Sequence, residues 1–185
     1  MNKIKYLKKE ISYIKDKNKK KDIEILINLL PEYFFNIPLS IDTDIYPKYV
    51  TTNNGLIKYT KACIKIAIDM FNTVNNFADD DKDLIIMALI MCKGMYMGSN
   101  GDKVKKDYPL LVSKLIMENT AMLEMEIDDI RKLCMMIESH LGNTKNNKID
   151  LPTPVNEIQR YVYRCNYLAS RKYINIKFNK LDIID

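Results

Sequence analysis

Apolar residues recur at helical spacing along most of the chain. Between residues 3 and 30 they fall three and four positions apart, which is the period of one face of an α-helix. This pattern predicts two amphipathic helices in residues 1–30, or one helix interrupted around Lys17–Lys21. A further apolar stripe begins near Leu56 and runs to Phe71, which predicts another helix.

A run that is apolar on nearly every side extends from Leu84 to about Cys92. It predicts a helix buried in the middle of the domain. Three more helices are predicted over residues 110–117, 127–137 and 155–171, and Gly142 fits the position that ends the second of these.

The predicted fold class is therefore all-α, with six or more helices, little sheet and a short extended tail at residues 173–178. The chain has 185 residues, of which 47% are hydrophobic. This length suits one compact domain with a real core and is too short for two full domains.

The formal charge of +5 is concentrated in the stretch Lys8–Lys21, which also carries Glu10 and Asp16. Interleaved charges of this kind are typical of a solvated helix face, so nucleic-acid binding is not expected. The acidic run Asp79–Asp81 is predicted to cap a helix and to place negative charge at its start. A calcium loop is not predicted there, because the glycine and terminal glutamate of an EF-hand are missing.

The chain has four cysteines at wide intervals and no CxxC pair: Cys63, Cys92, Cys134 and Cys165. This spacing predicts reduced thiols, as in a cytoplasmic protein, and neither disulfides nor a zinc knuckle. The N-terminus lacks the apolar core of a signal peptide, and no apolar run approaches the length of a membrane span. A cytoplasmic protein without a membrane segment is therefore expected.

Five segments carry the candidate chemistry. In chain order they are residues 54–60 (NGLIKYT), 88–98 (ALIMCKGMYMG), 107–111 (DYPLL), 137–142 (IESHLG) and 165–172 (CNYLASRK). In order and spacing they resemble the motifs of the HD-domain metal-dependent phosphohydrolases, particularly the small members found in phages and bacteria. Residues 30–34 and 37–40 extend the resemblance over most of the chain.

The resemblance implies an HD-domain-like helical bundle with residues 55–172 as its core. In that family, histidines and aspartates of these motifs bind one or two divalent cations, and the metal lowers the pKa of a bound water that attacks a phosphate ester. The family's histidine is kept here at His140, which is the only histidine of the chain. The other ligand positions are occupied by Tyr59, Cys92, Lys93, Tyr108 and Asn166.

These replacements predict that the metal site is lost. Lys93 places a positive charge where the family has a carboxylate, so it disfavours a divalent cation and can fill the volume of the metal as an internal cation. Asn166 keeps the shape of aspartate without its charge. His140 is expected to be a structural residue hydrogen-bonded to a neighbour such as Asn166 or Tyr59. No metal, cofactor or catalytic residue is predicted.

The leading hypothesis is a catalytically inactive HD-domain homologue, a pseudo-phosphohydrolase that acts by binding a protein partner or a nucleotide. The Ile, Lys and Asn content is typical of an AT-rich genome such as that of a phage, whose proteins act in the host cytoplasm. Self-association into a homodimer stays open. The predicted remnant cleft comprises Tyr59, Cys92, Lys93, Tyr96, Tyr108, His140, Asn166 and Arg171.

An enzymatic alternative stays open beside this hypothesis. In it, the chain is a divergent phosphohydrolase that acts on a nucleotide through a rearranged site around His140. Cys92 and some of Asp102, Asp107 and Glu138 would then complete the site.

Overall fold

The chain folds as an all-α protein, which confirms the predicted fold class. The computed structural model describes residues 2–71, 73, 77–142, 150–174 and 176–178, and within these ranges it contains no β-strand. The α-helices are α1 (Lys8–Ser12), α2 (Lys17–Leu29), α3 (Gly55–Phe71), α4 (Asp79–Met91), α5 (Tyr108–Glu118), α6 (Ile127–Ser139) and α7 (Glu157–Ala169). Short 3₁₀ helices lie at Ile4–Leu7, Glu32–Phe35, Lys48–Val50 and Thr120–Met122.

Helix α4 forms the centre of the bundle. Every residue from Leu84 to Met91 is buried, as the all-round apolar sequence predicts. Helices α2, α3, α6 and α7 pack against it, while α5 packs on the outer side of α6. The ends of these helices meet around the C-terminus of α4, and that position defines the candidate site.

The N-terminal segment forms two separate α-helices, α1 and α2, with a break at residues 13–16. The prediction of two helices is confirmed, and the alternative of one helix interrupted around Lys17–Lys21 is wrong. The buried carboxylate of Asp83 accepts hydrogen bonds from the backbone N–H groups of Lys15 (2.9 Å) and Asp16 (2.8 Å). The side chain of Asp16 in turn caps α2 by accepting from the backbone of its third residue. Two acidic side chains therefore set the break, and the lysine run begins the next helix.

The charged residues near this break pair with one another. Lys15 forms an ion pair with Asp79 at 2.8 Å, and the buried amine of Lys19 contacts both Asp80 and Asp129. The lysine-rich stretch is therefore not a uniformly solvated face. The residue before α4 is alanine and makes no side-chain cap, so the acidic run contributes charge to the first turn and the predicted capping role is wrong.

A buried ion pair joins α1 to α3. The amine of Lys61 lies 3.1 Å from the carboxylate of Glu10, and both side chains are at least 95% buried. Asp22 plays a similar anchoring role for the loop before α6, because its carboxylate accepts from the backbone N–H groups of Glu124 and Met125. Buried acids thus fix the N-terminal helices to the bundle.

The end of α6 requires glycine. Gly142 has a left-handed backbone with φ at 71°, and its N–H bonds to the carbonyl of Ser139, in keeping with the predicted helix end. A Cβ atom at this position would lie 2.5 Å from the ring of Tyr163. The glycine therefore lets α6 end in close contact with α7.

The described residues of the C-terminal tail, 173–174 and 176–178, form no strand. The ring of Phe178 packs edge-on against that of Tyr49. All four cysteines are buried free thiols, as predicted. No helix in the described part of the chain has both the length and the apolar composition that crossing a bilayer requires.

Candidate functional site

The five candidate segments converge at one end of the bundle. Tyr59 lies in α3, Lys93 follows α4, Tyr108 begins α5, His140 ends α6 and Asn166 lies in α7. Each helix thus contributes one side chain from its end or its inner face. Above them opens a cleft of about 210 Å³.

Most of the predicted cleft residues line this cleft: Tyr59, Lys93, Tyr96, His140, Asn166 and Arg171. Tyr108 is buried beneath Lys93 and His140, to which it is hydrogen-bonded. Cys92 is buried behind Asn166, 3.8 Å from its amide nitrogen. These two residues belong to the floor of the site rather than to its wall.

The sequence reasoning missed several residues of the wall: Leu39, Tyr46, Leu141, Tyr163, Tyr167 and Ser170. A sequence signal for three of them was present. Tyr163 and Ser170 lie three and four positions from Asn166, and Tyr167 lies four positions from Arg171. Residues three and four apart share a helix face. Leu39 and Tyr46 come from a distant loop, and no periodicity marks them.

Lys93 is enclosed by aromatic rings. Its side chain lies at the cleft floor with only 7% of the residue exposed. The amine nitrogen is 4.6 Å from the ring centroid of Tyr108 and 5.6 Å from those of Tyr59 and Tyr96. At these distances the ring faces attract an ammonium group. Among the described residues, no carboxylate forms an ion pair with Lys93.

Burial lowers the pKa of Lys93 to about 8, because removal from water penalises the charged form. The aromatic rings partly compensate for this desolvation. At neutral pH the site therefore contains a lysine ammonium group that is accompanied by a fraction of neutral amine.

A directed chain of hydrogen bonds runs beneath the cleft. The Nδ1 atom of His140 is 2.6 Å from the carbonyl oxygen of Ile137, and its Nε2 atom is 2.8 Å from the hydroxyl of Tyr108. A carbonyl only accepts, so these partners assign the proton to Nδ1 and make Nε2 an acceptor. The Tyr108 hydroxyl donates to Nε2, and its oxygen accepts from Lys93.

His140 is consequently neutral in the folded protein. Only 1% of it is exposed, and its pKa lies well below the ordinary value because of burial and the nearby charge of Lys93. The prediction that His140 is hydrogen-bonded to a neighbour is confirmed, but the neighbours named for it are wrong. His140 bonds to Tyr108 and to Ile137 rather than to Asn166 or Tyr59.

The other residues at positions that the resemblance aligns with metal ligands are also engaged as neutral groups. Tyr59 donates to the backbone carbonyl of Asn166 at 2.7 Å, and the Asn166 amide donates to the carbonyl of Val162 at 2.9 Å. Burial raises the pKa of Cys92 to about 12 and that of Tyr59 well above its ordinary value. Both groups are therefore neutral at neutral pH in the metal-free protein.

The described residues offer no group of three or more His, Cys, Asp or Glu side chains that could hold a metal ion. The acids considered for a rearranged site do not line the cleft. Asp102 is exposed and lies 3.8 Å from Lys105, and Asp107 precedes the first turn of α5. The described residues that line the cleft supply aromatic faces and cations, and none of them is a carboxylate.

Arg171 provides the second cation, at the rim of the cleft. Its guanidinium group stacks over the ring of Tyr167 at 4.4 Å from the centroid. It also donates to the hydroxyl oxygen of Ser170 at 2.8 Å. The stacking holds an exposed charge beside the aromatic wall.

No protein-family model, curated protein sequence or solved structure matches this chain. The resemblance to the HD-domain family therefore rests on the quoted motifs, and membership of that family stays a prediction.

Proposed function

We propose that this protein is a catalytically inactive relative of the HD-domain phosphohydrolases that acts by binding. The observation that carries the proposal is the ammonium group of Lys93, which is enclosed by an aromatic cage, the rings of Tyr59, Tyr96 and Tyr108. It lies at the floor of the cleft, at the motif position where the family has a metal-binding aspartate. A lysine charge there repels a divalent cation, and its three aromatic neighbours stabilise it without a carboxylate.

A nucleotide is the small ligand that the cleft favours. The walls present the aromatic side chains of Tyr46, Tyr96 and Tyr163, on which a base can stack. Lys93 at the floor and Arg171 at the rim supply positive charge for a phosphate group. The sequence analysis also inferred a protein partner from the replacement of the family's metal ligands. That partner stays a separate prediction, because contacts within one chain do not test it.

Replacing Arg171 by alanine is expected to weaken nucleotide binding about tenfold, since a charge-assisted contact contributes about 1.4 kcal/mol. Isothermal titration with nucleoside monophosphates and diphosphates measures the change. Arg131→Ala is the matched control, because Arg131 is an exposed arginine that is paired with Asp128 outside the cleft. Equal losses in both variants would show that the effect is general electrostatics and would contradict binding in the cleft.

Chelation is expected to leave the melting temperature unchanged. A resident metal that binds the native state stabilises it, and its removal lowers the melting temperature. Thermal unfolding with and without EDTA, and with added Mn²⁺, tests this point. A drop of several degrees in EDTA, together with nucleotide hydrolysis that EDTA abolishes, would support the phosphohydrolase alternative instead.

A further inference from the structure

The buried lysines in the described part of the chain fall into two chemical classes. Lys19 contacts Asp80 and Asp129, and Lys61 contacts Glu10. Each of these two amines is held as an ammonium group by a carboxylate. Lys93 is equally buried, but its polar contact is the hydroxyl of Tyr108, and it also lines an open cleft.

From this geometry we propose that Lys93 captures small aromatic aldehydes as a Schiff base in the cleft. The proposal goes beyond nucleotide binding and does not depend on the HD-domain resemblance. It rests on the orientation of the amine, on the access that the cleft provides and on the absence of a neutralising carboxylate among the described neighbours of Lys93.

The hydrogen-bond chain leaves the nitrogen lone pair of Lys93 free for attack. The carbonyl of Ile137 fixes His140 as an acceptor at Nε2, so Tyr108 donates to His140 and accepts from Lys93. A neutral amine satisfies this contact with one of its N–H groups. Because Tyr108 accepts from Lys93 and does not donate to it, the lone pair of the neutral Lys93 nitrogen is not engaged by Tyr108.

The covalent step balances without a further reactant. The Nζ lone pair forms a bond to the carbonyl carbon, and the C=O electron pair moves to oxygen. After proton transfers from nitrogen to oxygen, the carbinolamine loses that oxygen as water and the C=N bond forms. The sum is an amine plus an aldehyde giving an imine plus water. If the imine is protonated, its N–H donates to Tyr108 in place of the original amine.

The low pKa of Lys93 supports the same reactivity. With a pKa of about 8, about a quarter of the amine is neutral at pH 7.5, against about 0.1% for a lysine of ordinary pKa. The neutral fraction is then about 200-fold larger than at an exposed lysine. The rings of Tyr59 and Tyr96 beside the nitrogen favour an aldehyde that carries an aromatic ring.

Reductive trapping tests the proposal on the intact wild-type protein. The probe is 4-carboxybenzaldehyde, supplied below one equivalent with sodium cyanoborohydride, and peptide mass mapping measures the labelling rate at each lysine. We expect Lys93 to be labelled at least tenfold faster than Lys17 and Lys114, two exposed lysines that serve as internal references. The Lys93 rate should level off above about pH 8, whereas the reference rates keep rising.

The variant Tyr108→Phe tests whether the reactivity of Lys93 depends on the orientation of its amine or only on the exposure of that amine in the cleft. It keeps the ring of the cage and removes the hydroxyl that orients the amine, so the labelling rate at Lys93 should fall at least threefold while the rates at Lys17 and Lys114 stay unchanged. Labelling of wild-type Lys93 at or below the reference rates would overturn the proposal. That outcome would leave nucleotide binding intact, because binding is measured without aldehyde.

Discussion

Replacing Lys61 by methionine is expected to lower the free energy of unfolding by about 3–5 kcal/mol. The variant leaves the carboxylate of Glu10 buried without the amine that lies 3.1 Å from it in the wild type. Transfer of a carboxylate from water into the protein interior is strongly unfavourable unless a cation or several donors compensate it. Denaturant unfolding at pH 7 measures the loss.

The double variant Glu10→Leu with Lys61→Met is the control. When both charges are replaced by apolar side chains of similar volume, no buried charge is left uncompensated, and such replacements are often neutral or stabilising. We therefore expect the double variant to recover most of the stability lost in Lys61→Met. A double variant as unstable as the single one would show that packing, and not the ion pair, explains the loss.

At neutral pH, Lys93→Met is expected to change the free energy of unfolding in the opposite direction to Lys61→Met. The size of this change is expected to depend on pH. Burial lowers the pKa of Lys93 in the folded protein to about 8 from an ordinary value of 10.5. Between these two pH values the unfolded chain binds more protons than the folded protein, so the contribution of Lys93 to stability rises with pH. Wild type should gain about 2 kcal/mol relative to Lys93→Met between pH 7 and pH 9.5.

The comparison with Lys93→Met is needed because other groups titrate in the same range. Burial raises the pKa values of Cys63 and Cys165 above their ordinary values, and groups of this kind reduce stability as pH rises through their unfolded pKa. Their contribution is common to both proteins and cancels in the difference. A difference that stays constant from pH 7 to pH 9.5 would mean that Lys93 does not titrate abnormally.

The helical fold could be predicted from the sequence because its signals are local. The apolar stripe of α3 and the all-round apolar run of α4 correspond to helices that the structure contains. The break between α1 and α2 could not be placed, because it depends on Asp83, which lies 67 residues beyond Asp16. Contacts over such a distance leave no periodic trace in the chain.

The candidate site was predictable where motif residues carry it and not elsewhere. Tyr59, Lys93 and Asn166 were named from the sequence, and the structure brings them to one cleft. The aromatic cage could not be predicted, because it depends on rings from three separate elements meeting at one nitrogen. The partners of His140 were mispredicted because the helix end turns its ring toward Tyr108.

The ion pair between Glu10 and Lys61 shows the same limit for stability. In the sequence both residues resemble ordinary surface charges of amphipathic helices, and only the packing of α1 on α3 buries them together. The side chain of Lys93 has an equally ordinary appearance in the sequence. Its distinct chemistry comes from having three rings and a hydroxyl as neighbours where the other buried lysines have carboxylates.

The metal content of untagged, freshly purified protein tests the central claim most directly. Elemental analysis for manganese, iron, zinc, nickel, cobalt and magnesium should find no metal in stoichiometric amount, because the ammonium group of Lys93 lies at the floor of the cleft and repels a divalent cation. One equivalent of a divalent metal per chain, retained on dialysis and lost on substitution of His140, would contradict the account and would restore the phosphohydrolase hypothesis.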